Sequence, residues 1–237
     1  MTMTKLEPEA ATTADAEHTA SAAAGTTAVA KAPRIDADTI LDGRALVTIA
    51  GDTVRVPDAS RLVHLQFRRF AGCPVCSLHL RSIARRHDEI VRAGVREVVV
   101  FHSSAEALRE YEAELPFDVI ADPGKRLYIE FGVESSPRSL LDPRAWSTIV
   151  RAIARSLGEI ARGRPVPPLN PAGGRFGLPA DFLIAPDGRV LALRYGAHAA
   201  DHWSVDELLT LVRESRAPAS GGGRSRDHRT PQGSLRR

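Results

Sequence analysis

A chain of 237 residues, 43% hydrophobic and 26% charged, has the make-up of a globular protein, and its formal net charge of +3 is small. It holds no apolar run near the ~18 residues of a membrane span, so no transmembrane helix and no membrane partner is expected. Residues 1–33 carry two lysines against four acids, residues 216–237 carry six arginines against Asp227, and the stretch between is neutral. The basic excess therefore belongs to a tail, and a nucleic-acid partner is not expected for the central part.

The two ends are Ala/Thr-rich (1–33) and Gly/Ser/Arg-rich (216–237). Neither has enough large apolar side chains to offset the entropy of ordering, so both are read as disordered, flanking one domain over 34–215. Residues 46–49 and 53–56 flank Ala50-Gly51-Asp52 as a hairpin. A strand over 62–67 precedes a helix over about 76–92, with Leu80, Ile83, Ile90 and Val91 on one side and Gly94 closing it. Residues 95–101 read as a buried strand, and Ser103 with Glu106 as the capping box of a helix bearing Leu108, Tyr111 and Leu115. A strand over 117–121 and a brief helix with Leu127, Tyr128 and Phe131 follow. A helical insertion, about 134–176, opens on Asp142 and Pro143, and its apolar stripe runs Trp146, Ile149, Val150, Ile153, Leu157, Ile160. That stripe is expected to pack on its own domain. Two strands joined by Pro186-Asp187-Gly188, then a Ser204/Glu207 capping box and a last helix, complete an α/β fold with a mixed central sheet flanked by helices.

The only two cysteines, Cys73 and Cys76, stand at the strand–helix junction as Cys-Pro-Val-Cys. Unpaired N–H groups and the positive helix end favour the thiolate there, so the pair reads as a redox centre. Structural zinc would need four ligands, and His79 supplies at most one more. Two inert buried thiols remain the other alternative.

The order strand, Cys-x-x-Cys, helix, hairpin, terminal helix resembles the thioredoxin-like fold. The stretch Phe67 to Cys76, with Ala121-Asp122-Pro123 and Gly177 to Gly188, is similar to the peroxiredoxin-like branch of the alkyl hydroperoxide reductase/thiol-specific antioxidant group. The resemblance implies that Cys73 is the exposed nucleophile and Cys76 the resolving thiol. It also implies that Pro179, after Leu178, is a cis-proline facing them, beside an open backbone edge for a substrate segment. Arg69, Phe70 and Pro74 then shape the site, Arg68 or Arg69 lowers the Cys73 pKa, and His79 is a candidate for proton transfer.

The chain departs from these families at several positions. Phe70 and Gln66 stand where a Thr/Ser and a Pro usually precede a peroxidatic Cys73, with Cys73 and Arg69 there if Cys76 took that role. Pro179 stands near where a peroxide-binding Arg is common, and Phe67 where thioredoxin has a buried acid. These departures favour thiol–disulfide exchange, an antioxidant oxidoreductase with no cofactor and no metal, reduced by an external thioredoxin- or glutathione-type thiol. A dedicated peroxidase and a non-catalytic redox sensor or adaptor are the alternatives. Without an export signal the cytoplasm is the expected compartment. The oligomeric state is left open.

Overall fold

The computed structural model describes residues 33–217. The ends read as disordered lie outside the described residues, except for Pro33, Arg216 and Ala217.

Strands β1 (Arg44–Val47) and β2 (Thr53–Val56) form the expected antiparallel hairpin, with Gly51 at φ 97° in its turn. The main sheet has β3 (Leu62–Arg68), β4 (Val95–Phe101), β5 (Asp118–Ala121), β6 (Ala180–Ile184) and β7 (Val190–Tyr195), in the order β5-β4-β3-β6-β7. β3, β4 and β5 run parallel; β6 is antiparallel to β3, and β7 to β6. Val63, Leu65 and Phe67 of β3 meet Val98, Val100, Phe182 and Ile184 on one face of this sheet.

The helix expected over 76–92 is two helices, α1 (Pro74–Arg85) and α2 (His87–Arg92). Arg86 leaves helical geometry between them (φ −113°, ψ 16°), and Asp88 and Glu89 favour the restart by facing the positive end of α2. α3 (Ala105–Glu112) is capped by Ser104 rather than Ser103. The Ser103 hydroxyl instead accepts the Ala71 N–H at 2.9 Å, tethering the loop before Cys73. α4 (Arg126–Glu130) carries Tyr128 into the core, and α7 (Val205–Arg216) starts with the expected capping box and buries Leu208, Leu209 and Val212.

The insertion holds α5 (Arg138–Leu141) and α6 (Pro143–Ile160), capped by Asp142, whose carboxylate accepts the Arg144 N–H. Its two ends meet at a neck. Leu178 N–H donates to Glu134 O (3.0 Å), Ser136 N–H donates to Phe176 O (2.7 Å), and Ser135 and Gly177 form a bridge. α6 lies across α1, but not by the stripe read from the sequence. Ala145 and Ala152 face inward, while Trp146, Val150, Ile153 and Leu157 are 58%, 66%, 48% and 62% exposed. Small side chains let two helices approach closely, and this approach turns the large residues roughly 120° away at 100° per residue.

Candidate active site

The loop Phe70-Ala71-Gly72 carries β3 into α1. Gly72 sits at φ 73°, and a Cβ there would lie 2.7 Å from the Tyr111 ring, so only glycine makes this turn. Cys73 is the N-cap of α1 and Pro74 its first residue. The Cys73 sulfur accepts the Cys76 N–H at 3.5 Å, and both cysteines are free thiols. Burial opposes ionisation of Cys73. The hydrogen bond from the Cys76 thiol, the Arg69 charge and the N–H groups of Cys76 and Val75 outweigh it, lowering the thiol to about 6. Burial raises Cys76 well above the ordinary thiol range, as do its hydrogen bond to Cys73 and the Cys73 charge. The pair is therefore split into an acidic and a reluctant thiol.

Cys73 is 0% and Cys76 3% exposed, which corrects the expectation of an exposed nucleophile. Phe70, Val75, Leu80, Ala152 and Ala199, with the partly buried Ile149, enclose them, so α6 supplies part of the cover through Ala152 and Ile149. A crevice of about 40 Å³ reaches the Gly72–Pro74 turn between Arg81, Tyr111, Glu112 and Ala152. A larger cavity of about 420 Å³ on the other flank of α6 leads to His79 and His202, with Arg85 and Arg151 on its wall.

Glu112 is a site residue the sequence reading missed. Its carboxylate accepts the Gly72 N–H at 3.4 Å. Burial raises it to about 7, against the Gly72 hydrogen bond, and the Cys73 charge pushes the same way as burial. The signal was available: Glu112 is four residues after Leu108, which puts an acid on the apolar face of α3.

Arg68 and Arg69 part company as strand alternation requires. Arg69 lies over the Phe70 ring (5.3 Å), donates to Arg175 O, and is the cation that favours the thiolate. Arg68 turns beneath the sheet, where it donates to Asp181 (2.6 Å), Gln66 (2.5 Å) and His79 Nε2 (3.0 Å). His64 continues this network to Asp181 (3.2 Å) and Glu97 (2.9 Å), and Gln66 donates to Glu97. His79 accepts from Arg68 and is therefore neutral there. Burial first, then His202 and Arg68, hold its pKa well below the ordinary value. Its ring lies against His202, 3.6 Å between centroids. With its Nε2 lone pair engaged by a guanidinium, His79 anchors Arg68 and is not placed as the proton acceptor. Among the described residues no three His, Cys, Asp or Glu side chains converge on a metal site.

The expectation for Pro179 is also corrected. Among the described residues the cis bond is Val56–Pro57, so Leu178–Pro179 is trans. The reason lies in its neighbours. Leu178 N–H is held by Glu134 O, and Pro179 O accepts the Gly196 N–H at 2.9 Å, so Pro179 extends the β6–β7 ladder as ordinary strand backbone. The edge expected to take a substrate segment is occupied by the chain itself.

A parallel–antiparallel sheet with a Cys-x-x-Cys at the start of the helix after β3 defines a thioredoxin-like fold. Residues 82–198 match the family of AhpC/TSA antioxidant enzymes. The fold is similar to that of peroxidoxin BcpB from Mycobacterium tuberculosis, at 14% identity and TM-score 0.56, over 78% of this chain and 100% of that one. It is also similar to a cysteine-to-serine mutant of peroxiredoxin 6 from Arenicola marina (14%, 0.51, 76% and 72%). A third is a mutant of peroxiredoxin Q from Xanthomonas campestris (14%, 0.50, 75% and 99%). No curated protein matches the sequence. Over 82–198 the chain is therefore similar to AhpC/TSA antioxidant enzymes, and it shares the fold of these peroxiredoxin structures. The family match begins after both cysteines, so their roles rest on the site itself.

Proposed function

We propose that this chain reduces a small hydroperoxide with the Cys73–Cys76 pair. Cys73 thiolate attacks one peroxide oxygen and the O–O bond breaks. Glu112 gives its proton to the departing oxygen, leaving an alcohol or water and a Cys73 sulfenic acid. Cys76 then attacks the Cys73 sulfur, water leaves, and a Cys73–Cys76 disulfide remains. An external dithiol restores both thiols and is itself oxidised to a disulfide.

The observation that carries this reading is the enclosure of Cys73 beside Arg69 and Glu112. A charge and a proton donor are what O–O cleavage needs, and sequence spacing alone positions neither. The closed edge at Pro179 and the narrow crevice disfavour a protein segment as substrate. Thiol–disulfide exchange is the second reading, favoured by the Cys-x-x-Cys spacing and the acidic Cys73.

The test is stopped-flow oxidation of the reduced protein by hydrogen peroxide and by a small disulfide. Peroxide is expected to react faster, with a bell-shaped pH dependence. The rate rises through about pH 6 as Cys73 ionises and falls above about 7 as Glu112 loses its proton. Glu112→Gln should remove the falling limb and slow the peroxide step by roughly 10–100-fold. Faster oxidation by the disulfide would transfer the function to thiol–disulfide exchange.

A further inference from the structure

The exposed face of α6 is unusual for its chemistry as well as its size. At 100° per residue, roughly 160° of the helix, from Ile149 round to Ser147, carries no charged side chain. Arg144, Arg151, Arg155 and Glu159 lie outside that arc, and Arg144 and Arg155 are paired with Asp142 and Glu159. At their observed exposures, Trp146, Val150, Ile153 and Leu157 present roughly 450 Å² of apolar surface, the upper range of what a monomer leaves open.

We propose that α6 is a dimerisation helix, pairing antiparallel with α6 of a second copy of this chain. Three features select that occupant. The stripe is spaced 4, 3, 4, the a/d rhythm of a helix that meets another helix. The spacing is also palindromic: Trp146 with Leu157 and Val150 with Ile153 share one midpoint. A two-fold axis there sets Trp146 against the second copy's Leu157 and Val150 against its Ile153, which is the self-complementarity an isologous contact demands. Finally, Ser147 and Ala154 lie together along one side of the stripe with small side chains, allowing the axes to come within about 8–10 Å.

The area is sufficient. Two copies remove roughly 900 Å² from the four stripe residues alone, and their flanks bring the total past the ~1,000 Å² that a specific interface clears. The two ends of the sequence offer little competition for the stripe. Residues 1–32 contain Met1, Met3, Leu6 and Val29 as their large apolar residues, and 218–237 only Leu235.

The experiment is sedimentation velocity of the full chain from low-micromolar to near-millimolar concentration, with tryptophan emission followed over the same range. Trp203 is buried, so a concentration-dependent blue shift reports Trp146. The expected result is a monomer–dimer equilibrium whose dissociation constant rises at least about a hundredfold in Val150→Glu/Ile153→Glu. Leu157→Glu is expected to weaken it similarly. Unchanged far-UV circular dichroism would show the variants folded, since all three side chains are already exposed. A wild type that stays monomeric throughout would overturn the proposal, as would a dimer that survives these substitutions. Stripe-dependent binding of the monomer to anionic phospholipid vesicles would instead assign the face to a lipid surface.

Discussion

Cys73→Ser is expected to lower substrate reduction by at least about 10³-fold, because Cys76, the other thiol, is held protonated by burial and cannot readily supply the attacking electron pair. Cys76→Ser is expected to behave differently. Cys73 still ionises and is still oxidised, but the sulfenic acid has no resolving thiol and persists. Mass spectrometry after treatment with a 1,3-dicarbonyl trap should find one adduct per chain, on Cys73, in Cys76→Ser and far less in the wild type. Steady-state turnover with an external dithiol should fall with it. Full peroxide consumption by Cys73→Ser, or an adduct on Cys76 in the wild type, would reverse the assigned roles.

The second large effect concerns stability and comes from beneath the sheet. Burial alone would lower the pKa of His64. The carboxylates of Glu97 and Asp181 on either side of its ring outweigh that and raise it to about 9, from 6.5. The folded protein thus holds a proton that the unfolded chain releases. The stabilisation is fully present below about pH 6.5 and is lost as pH rises through about 9, with a span of about 3 kcal/mol. Cys73 acts in the opposite sense over the same range, since its depressed pKa favours the folded state as pH rises. The comparison is therefore made in the Cys73→Ser background. There, His64→Gln should reduce the unfolding free energy most near about pH 6 and progressively less toward about pH 10. A gap independent of pH would mean that His64 is neutral when folded. Removing one partner outright, as in Arg68→Ala, leaves Asp181 buried beside fewer cations, and a loss of about 3–5 kcal/mol is expected at neutral pH.

The sequence was a good guide to order and a poor one to what faces what. The strands, both hairpins, the Ser204 cap and the thiol position follow from local periodicity and turn chemistry, which act over a few residues. The network beneath the sheet was also written locally. His64, Gln66 and Arg68 alternate along β3 opposite Val63, Leu65 and Phe67, a polar face on a strand that is central and covered on both sides. Reading residues 62–67 only as the strand ahead of the cysteines hid it. The orientation of α6 was not legible, because the alanines that seat it carry no periodic signal beside the larger stripe. Pro179 was misplaced for a tertiary reason. Its isomer depends on whether residues 134–136 reach the edge at 176–178, and these lie some forty residues apart in the chain.

That neck has a consequence for how this protein can change. Residues 137–175 leave and rejoin the sheet at a single closed point, so the frame meets them as one long excursion with adjacent ends. Closing such a loop costs roughly 3 kcal/mol of chain entropy, and a doubling of its length would add only about 0.6. Lengthening or rewriting the excursion is therefore cheap for the frame, while β3, α1 and the two thiols keep their register. The two thiols and the α6 part of the cover over them are encoded in separate stretches. A lineage could refashion that part of the cover, and with it the approach to Cys73, without rebuilding the strand and helix that carry the thiols.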